Sequence, residues 1–198
     1  MPDLSLEKSF AGTVCGIDEA GRGPWSGPVV AAAVILGEQI PDGINDSKKL
    51  TEAKREKLFA EIMSAAQVGV GLADVAEIDS LNIGRATKLA MERAFANLPQ
   101  KPDVALVDGN QLPALPCKMQ YVIKGDSLSL SIAAASIIAK VTRDRIMHEL
   151  AAEFPHYAWQ SNKGYGTADH IQGLEKHGVS AHHRRSYAPI RKLLENAV

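Results

Sequence analysis

At 198 residues the chain suits one domain of ordinary size, able to bury about 70% of the surface its unfolded form exposes, so it needs no disulfide or metal staple. A formal net charge of −1 excludes a polycation that grips nucleic acid over its whole surface. Cys15 and Cys117 have no metal-ligand spacing, no export signal marks residues 1–12, and the longest apolar run, Val29 to Leu36, is far short of the roughly 20 residues that cross a bilayer; a soluble protein of the reducing cytoplasm, with no membrane partner, is expected.

Thr13 to Glu19 and Pro28 to Leu36 read as two β-runs. The intervening Ala-Gly-Arg-Gly-Pro-Trp-Ser-Gly, with three glycines and one proline, reads as a loop, which makes the pair a hairpin. A Pro-Asp-Gly turn leads into Asn45-Asp-Ser-Lys-Lys-Leu50. Thr51 then caps a helix in which Leu58, Phe59, Ile62 and Met63 recur at helical spacing. Gln67 to Ala73 alternates as a third strand. Asn82 to Leu98 is a second amphipathic helix, ended by Pro99 and Pro102 ahead of a strand at Val104 to Val107. Tyr121 to Lys124 reads as a short fifth strand. Ser127 or Ser129 caps the longest helix, which runs to about Glu153; its opening, Ile132 to Ala139, is apolar nearly all round and so belongs in the centre of the molecule. Beyond Pro155 come the glycine-punctuated Lys163-Gly-Tyr-Gly-Thr167, a short helix and a tail with His182-His183-Arg184-Arg185. No repeat or linker interrupts the chain, so residues 1–198 are expected to form a single α/β domain with a short C-terminal helical tail. The element order predicts a five-stranded mixed sheet with helices on both faces.

Four acids stand at the ends of apolar runs beside glycine: Asp18 and Glu19, Asp108, and Asp126. If the first strand lies parallel to the fourth, Asp18 and Asp108 emerge together at the carboxyl edge of the sheet, where open α/β sheets bind ligands. Asp126 precedes the long helix, whose N-terminus should favour its ionised form. A lone Asp at a strand end is ordinarily a turn former or cap, but adjacent carboxylates at the end of an apolar run repel each other unless a cation lies between them. The all-oxygen set suits Mg²⁺ or Mn²⁺ and disfavours zinc, and convergent carboxylates can hold two such ions about 3.5–4 Å apart for work on a phosphate.

The charge is unevenly spread, with 11 Lys or Arg against 16 Asp or Glu up to Cys117, and 11 against 7 after it. This permits a local basic surface beside an acidic centre, though chance explains it too. Gly21-Arg22-Gly23 can bring backbone amides close to a sugar or phosphate, where other Gly-x-Gly sequences are plain turns. Lys48, Lys49 and Lys124 are candidate phosphate contacts; Lys140, Arg143 and Arg145 are either that or a solvated helix face. Tyr165 is placed to stack on a sugar or base, or is an ordinary half-exposed tyrosine. Lys163 and Arg184 are further candidates for the substrate backbone; the His182 to Arg185 cluster could bind phosphate or carry protons, or be a solvated tail. Cys15 reads as core.

The segments Gly16-Ile-Asp-Glu-Ala-Gly-Arg-Gly-Pro24, Asn45-Asp-Ser-Lys-Lys-Leu50, Val107-Asp-Gly109, Lys124-Gly-Asp126, Ser131-Ile-Ala-Ala-Ala-Ser136, Ala139-Lys-Val-Thr-Arg-Asp-Arg145, Lys163-Gly-Tyr-Gly-Thr167 and His183-Arg-Arg-Ser186 resemble bacterial ribonuclease HII, of the type 2 ribonuclease H family, in order and over nearly the whole chain. The resemblance implies a ribonuclease H-like fold and endonucleolytic cleavage of RNA in RNA–DNA hybrids and at single ribonucleotides embedded in DNA. It implies Asp18, Glu19, Asp108 and Asp126 as the metal-binding acids, recognition of the ribose 2′-OH by Gly21 to Gly23, and packing of Tyr165 against the adjoining deoxyribose. Leu128 stands where members often carry a basic residue. The chain also runs little past the His-Arg-Arg-Ser motif, so substrate or sliding-clamp contacts from a C-terminal extension are not expected.

Together these readings predict hydrolysis on the 5′ side of a ribonucleotide, leaving a 3′-hydroxyl and a 5′-phosphate, by a monomer, since no exposed apolar stripe marks a dimer. A junction resolvase of the same fold, or a non-catalytic hybrid-binding module, is the alternative.

Overall fold

The computed structural model describes residues 1–195. Along the chain run α1 (Ser5–Lys8), β1 (Val14–Ala20), β2 (Val29–Ile35), α2 (Glu52–Ala65), β3 (Gln67–Ala73), α3 (Val75–Leu81), α4 (Ile83–Ala96), β4 (Val104–Asp108), β5 (Lys118–Val122), α5 (Leu130–Glu153), α6 (Trp159–Asn162), α7 (Ala168–His177) and α8 (Ala188–Glu195). The sheet order is β3-β2-β1-β4-β5. β1, β2 and β3 pair antiparallel, while β1, β4 and β5 pair parallel. Among the described residues no helix is long and apolar enough to cross a membrane.

Both faces of the sheet are covered, which is why β2 is a continuous apolar run with every residue buried. Val29, Ala31 and Ala33 face Ala86, Ala90, Ala94 and Phe95 of α4. Ala32 and Val34 face Leu58 and Ile62 of α2 and the apolar start of α5. The small residues of α5 let it lie close to the sheet. At Gly16 the approach is closest: a Cβ there would sit 2.2 Å from the backbone of Ser131 and Ile132, so only glycine admits the start of α5 over β1.

The structure confirms the hairpin, Thr51 as the cap of α2, the parallel pairing of β1 with β4 and the burial of α5, and it selects Ser129 as the α5 cap. The expected strand at Tyr121 to Lys124 is displaced: β5 spans Lys118–Val122 and ends before Lys124, whose left-handed φ of 56° breaks the ladder. As an edge strand it shows too little alternation to be located by pattern. Three helices went unread. α1 and α6 are single turns, whereas α3 carries a capping box between Asp74 and Glu77. Asn82 is the N-cap of α4 rather than its first residue, with φ 66°.

The C-terminal tail is not a solvated appendage. His183 and Arg184 are fully buried beneath the loop that joins β1 to β2.

Candidate active site

The parallel register of β1 and β4, with Ile17 opposite Val107, puts Asp18 and Asp108 side by side at the carboxyl edge. Glu19 is the next residue of β1. Asp126 arrives from a 3₁₀ turn at Gly125–Ser127 that leads into α5. A direct bond ties this turn to β4, the Gly125 N–H donating to Asp108 Oδ1 at 2.6 Å. A strap from the N-terminus fastens it from outside: the Leu130 N–H donates to the Asp3 carbonyl, and Glu7 Oε1 accepts from the Ser131 N–H at 2.9 Å and from the Ser129 and Ser131 hydroxyls. Glu7 thus neutralises part of the helix N-terminus from a distant segment, a role no local pattern signals.

Crowding leaves its mark on the acids. Burial, then the neighbouring Glu19 and Asp108 carboxylates, hold the Asp18 carboxyl well above its ordinary range. Burial raises Glu19 as well, with Arg22 pulling the other way and Asp108 adding to the rise. Asp126 is raised by burial, Asp46 and Asp108, so the expected benefit of the helix N-terminus is outweighed. Lys48 answers the cluster: burial opposes its charge, but Asp126, Asp18, Asp46 and Asp108 together raise its pKa.

Among the described residues no three His, Cys, Asp or Glu side chains stand ready-made around a common metal position. The hydrogen bonds explain why. Asp18 Oδ1 is turned to the Glu19 N–H at 2.7 Å, Asp108 Oδ1 to Gly125, and Glu19 Oε1 to Arg22 Nη1 at 3.3 Å. The second oxygen of each of these three acids has no protein donor among the described residues. Hard-oxygen donors that are buried or half-buried, crowded and half-satisfied fit a divalent cation, which would compensate the charge and draw the free oxygens inward.

The other predicted residues divide. Gly21, Arg22, Gly23, Lys48 and Tyr165 line one open groove of about 330 Å³ with Asp18 and Glu19. Tyr165 is 51% exposed and lies beside Gly23, where an added Cβ would be 3.3 Å from its ring. Lys49 is exposed at the edge of the Asp126 turn, its Nζ 3.3 Å from the Ser127 hydroxyl. Lys163 and Arg184, expected at the substrate, do not line this groove. Lys163 is buried against His148 and the Gln160 carbonyl, and Arg184 is spent on backbone carbonyls under the loop. Arg143 likewise donates to the carbonyls of Ser26, Pro28 and Lys163. Lys140 lines the groove but is paired with Asp144, and Arg145 is paired with Glu56 over the Phe59 ring. His183 is fully buried, its Nδ1 taken by Ser180 and its Nε2 3.0 Å from His170 Nε2, so it carries no proton to the groove.

Asp46, inside a segment singled out by sequence, went unassigned. It caps the turn at Ser47–Lys49, accepting from the Lys48 N–H at 2.9 Å. Ser136 Oγ of α5 and Arg55 of α2 anchor the same turn. Lys48 is thereby fixed over the acids. Another groove, of about 420 Å³ between α2 and α5, is lined by Glu52, Arg55, His148 and other charged side chains; it holds none of the four acids.

Crowded carboxylates at the carboxyl edge of a mixed sheet, two buried and two half-buried, flanked by a lysine, a glycine loop and an exposed aromatic ring, fit a cation-requiring hydrolase of phosphate esters. The ribonuclease HII family profile matches residues 15–190. The ribonuclease HII of Magnetococcus marinus is 57% identical over 98% of this chain and 95% of its own, and that of Jannaschia sp. is 55% identical over 98% of each. The crystal structure of ribonuclease H2 from Pyrococcus horikoshii superposes with a TM-score of 0.79 at 28% identity, covering 93% of this chain and 98% of the other. The chain belongs to the ribonuclease HII family. It is an endoribonuclease, of a family dependent on divalent metal, that cleaves the RNA of RNA–DNA hybrids and ribonucleotides embedded in DNA.

Proposed function

We propose that Asp18, Glu19, Asp108 and Asp126 hold two Mg²⁺ or Mn²⁺ ions and that the chain cuts on the 5′ side of a ribonucleotide. The reading rests on one observation: four crowded acids from three separate segments, Asp18 and Asp126 buried and Glu19 and Asp108 half-buried, lie at the carboxyl edge of the sheet. Bound there, the cations supply an activated water and neutralise charge on the phosphate. In the hydrolysis a water oxygen bonds to phosphorus, the P–O3′ bond breaks, and the departing oxygen takes a proton. A 3′-hydroxyl and a 5′-phosphate result.

The chain's own groups orient the duplex. Lys48, drawn toward the acids, meets a phosphate oxygen near the scissile bond, and Lys49 meets the backbone alongside. Gly21 to Gly23 contact the ribose 2′-OH, the group that separates RNA from DNA. Tyr165, exposed beside Gly23, packs on the next deoxyribose. The site is complete in one copy, which supports a monomer, and the two free cysteines suit the reducing cytoplasm.

The test is digestion of a DNA duplex carrying one ribonucleotide, with product ends mapped, in metal and in chelator. Asp108→Asn is expected to lower the cleavage rate by at least about 10²-fold while duplex binding survives. Full activity in chelator, or unchanged cleavage by the variant, would refute the assignment.

A further inference from the structure

Two arginines lie buried under the loop after β1, and among the described residues neither has a carboxylate partner. Arg184 and Arg143 are 0% and 1% exposed. Burial, with Arg184 nearby, brings the Arg143 pKa down to about 10; burial also lowers that of Arg184. Desolvating two guanidiniums side by side is costly unless their donors are satisfied. Here backbone carbonyls supply most of that satisfaction, chiefly those of residues 21–28. Arg184 Nη2 donates to Gly21 at 2.6 Å, to Gly27 at 2.8 Å and to Pro28 at 3.2 Å; Nε donates to Gly27 at 3.0 Å, and Nη1 to Arg22 at 3.1 Å. The Tyr187 hydroxyl completes the arrangement, accepting from Arg184 Nη1 at 2.9 Å and donating to the Arg22 carbonyl.

This dictates where the loop amides point. No peptide bond in the described chain is cis, and in a trans peptide the N–H lies opposite the preceding C=O. With the carbonyls of Gly21 and Arg22 drawn inward to Arg184, the N–H groups of Arg22 and Gly23 face outward, toward the groove. Neither donates to any acceptor among the described residues. Gly21, with φ 99°, has no room for a Cβ above Arg143, so the loop is closed on its inner side.

We propose that Arg184 and Tyr187 are positioning residues that set ribose selectivity: by gripping the carbonyls of Gly21 and Arg22 they fix two outward amides for an oxygen of the substrate. The proposal rests on the reading of this loop as the 2′-OH contact. Arg184 touches no substrate. Its guanidinium geometry matters more than its charge, because a lysine ammonium in its place cannot span four carbonyls.

The test measures dissociation constants, in an Asp108→Asn background that leaves duplexes uncleaved, for a duplex with one ribonucleotide and for the matched all-DNA duplex. Tyr187→Phe keeps the ring and its packing on Arg184 and removes only the hydroxyl. It is expected to lower the ribo-to-deoxy affinity ratio about three- to tenfold, with all-DNA affinity and melting temperature nearly unchanged. Arg184→Lys should lower the ratio further; if it does not fold, Tyr187→Phe alone decides. A parent ratio well above one that Tyr187→Phe preserves overturns the clamp. Equal weakening of both duplexes also overturns it, since a merely structural defect does not choose between sugars. A parent ratio of one overturns the underlying reading of the loop instead.

Discussion

Gly16→Ala tests the link between packing and chemistry most directly. The added Cβ would lie 2.2 Å from backbone atoms of Ser131 and Ile132, against 3.4 Å for ordinary contact, so strand and helix must separate by about 1.2 Å, the difference between those two distances. Neither contact is a side-chain tip that can swing away. Overpacking of this kind costs about 1–3 kcal/mol, which for a chain of this size is a fall of roughly 2–12 °C in melting temperature. The functional cost is larger. α5 begins four residues after Asp126, and the displacement moves that carboxylate relative to Asp18 and Asp108. A misplacement of about 1 Å costs on the order of 10²-fold in rate. Thermal melting followed by single-turnover cleavage of a one-ribonucleotide duplex at saturating metal, below the melting range, separates the two effects. A variant with parental melting temperature and parental rate would refute the argument that Gly16 sets the approach of α5 and hence the site.

Asp18→Asn is expected to abolish cleavage yet raise the melting temperature in chelator, because it removes a buried charge from a crowded acid cluster; the gain is on the order of 1–3 kcal/mol. Calorimetry in chelator checks it, and a fall in melting temperature would count against the crowding. The pKa of Asp18 is raised on folding, so its contribution to stability without metal is greatest below its unfolded value near 4 and declines as pH rises through the folded value. Added Mg²⁺ should reverse that decline, and a metal-free melting temperature that rises over this window in the parent but not in Asp18→Asn would contradict it. The buried His183 has the opposite dependence: its pKa is lowered to about 3, first by burial and then by His170. The fold therefore keeps it neutral; its stabilising contribution is present above the unfolded value of about 6.5 and is lost as pH falls toward 3, at about 1.4 kcal/mol per pH unit. Urea titrations between pH 7 and 4.5 should show a loss of roughly 2–3 kcal/mol that His183→Gln reduces; the same slope in both proteins would refute it.

The chain itself determined the elements with strong local periodicity and which acids stand at the ends of apolar runs. The apolar runs of β2 and the start of α5, the cap at Thr51 and the acids released beside glycine all follow from nearest-neighbour chemistry, which sequence carries in full. It also determined the family, through segments spread over nearly its whole length. Only the tertiary structure decided what the basic residues do. Lys48 and Arg184 are alike as sequence, a cation in a polar stretch. In the fold one faces four carboxylates across an open groove, and the other is sealed under a loop among carbonyls. The same holds for the strap from Glu7 to Ser131, whose partners are 124 residues apart, and for the edge strand β5, whose exposure erases the alternation that would have located it. Burial and hydrogen-bond partnership are properties of assembled surfaces, and for long charged side chains they depend on contacts that no local window contains.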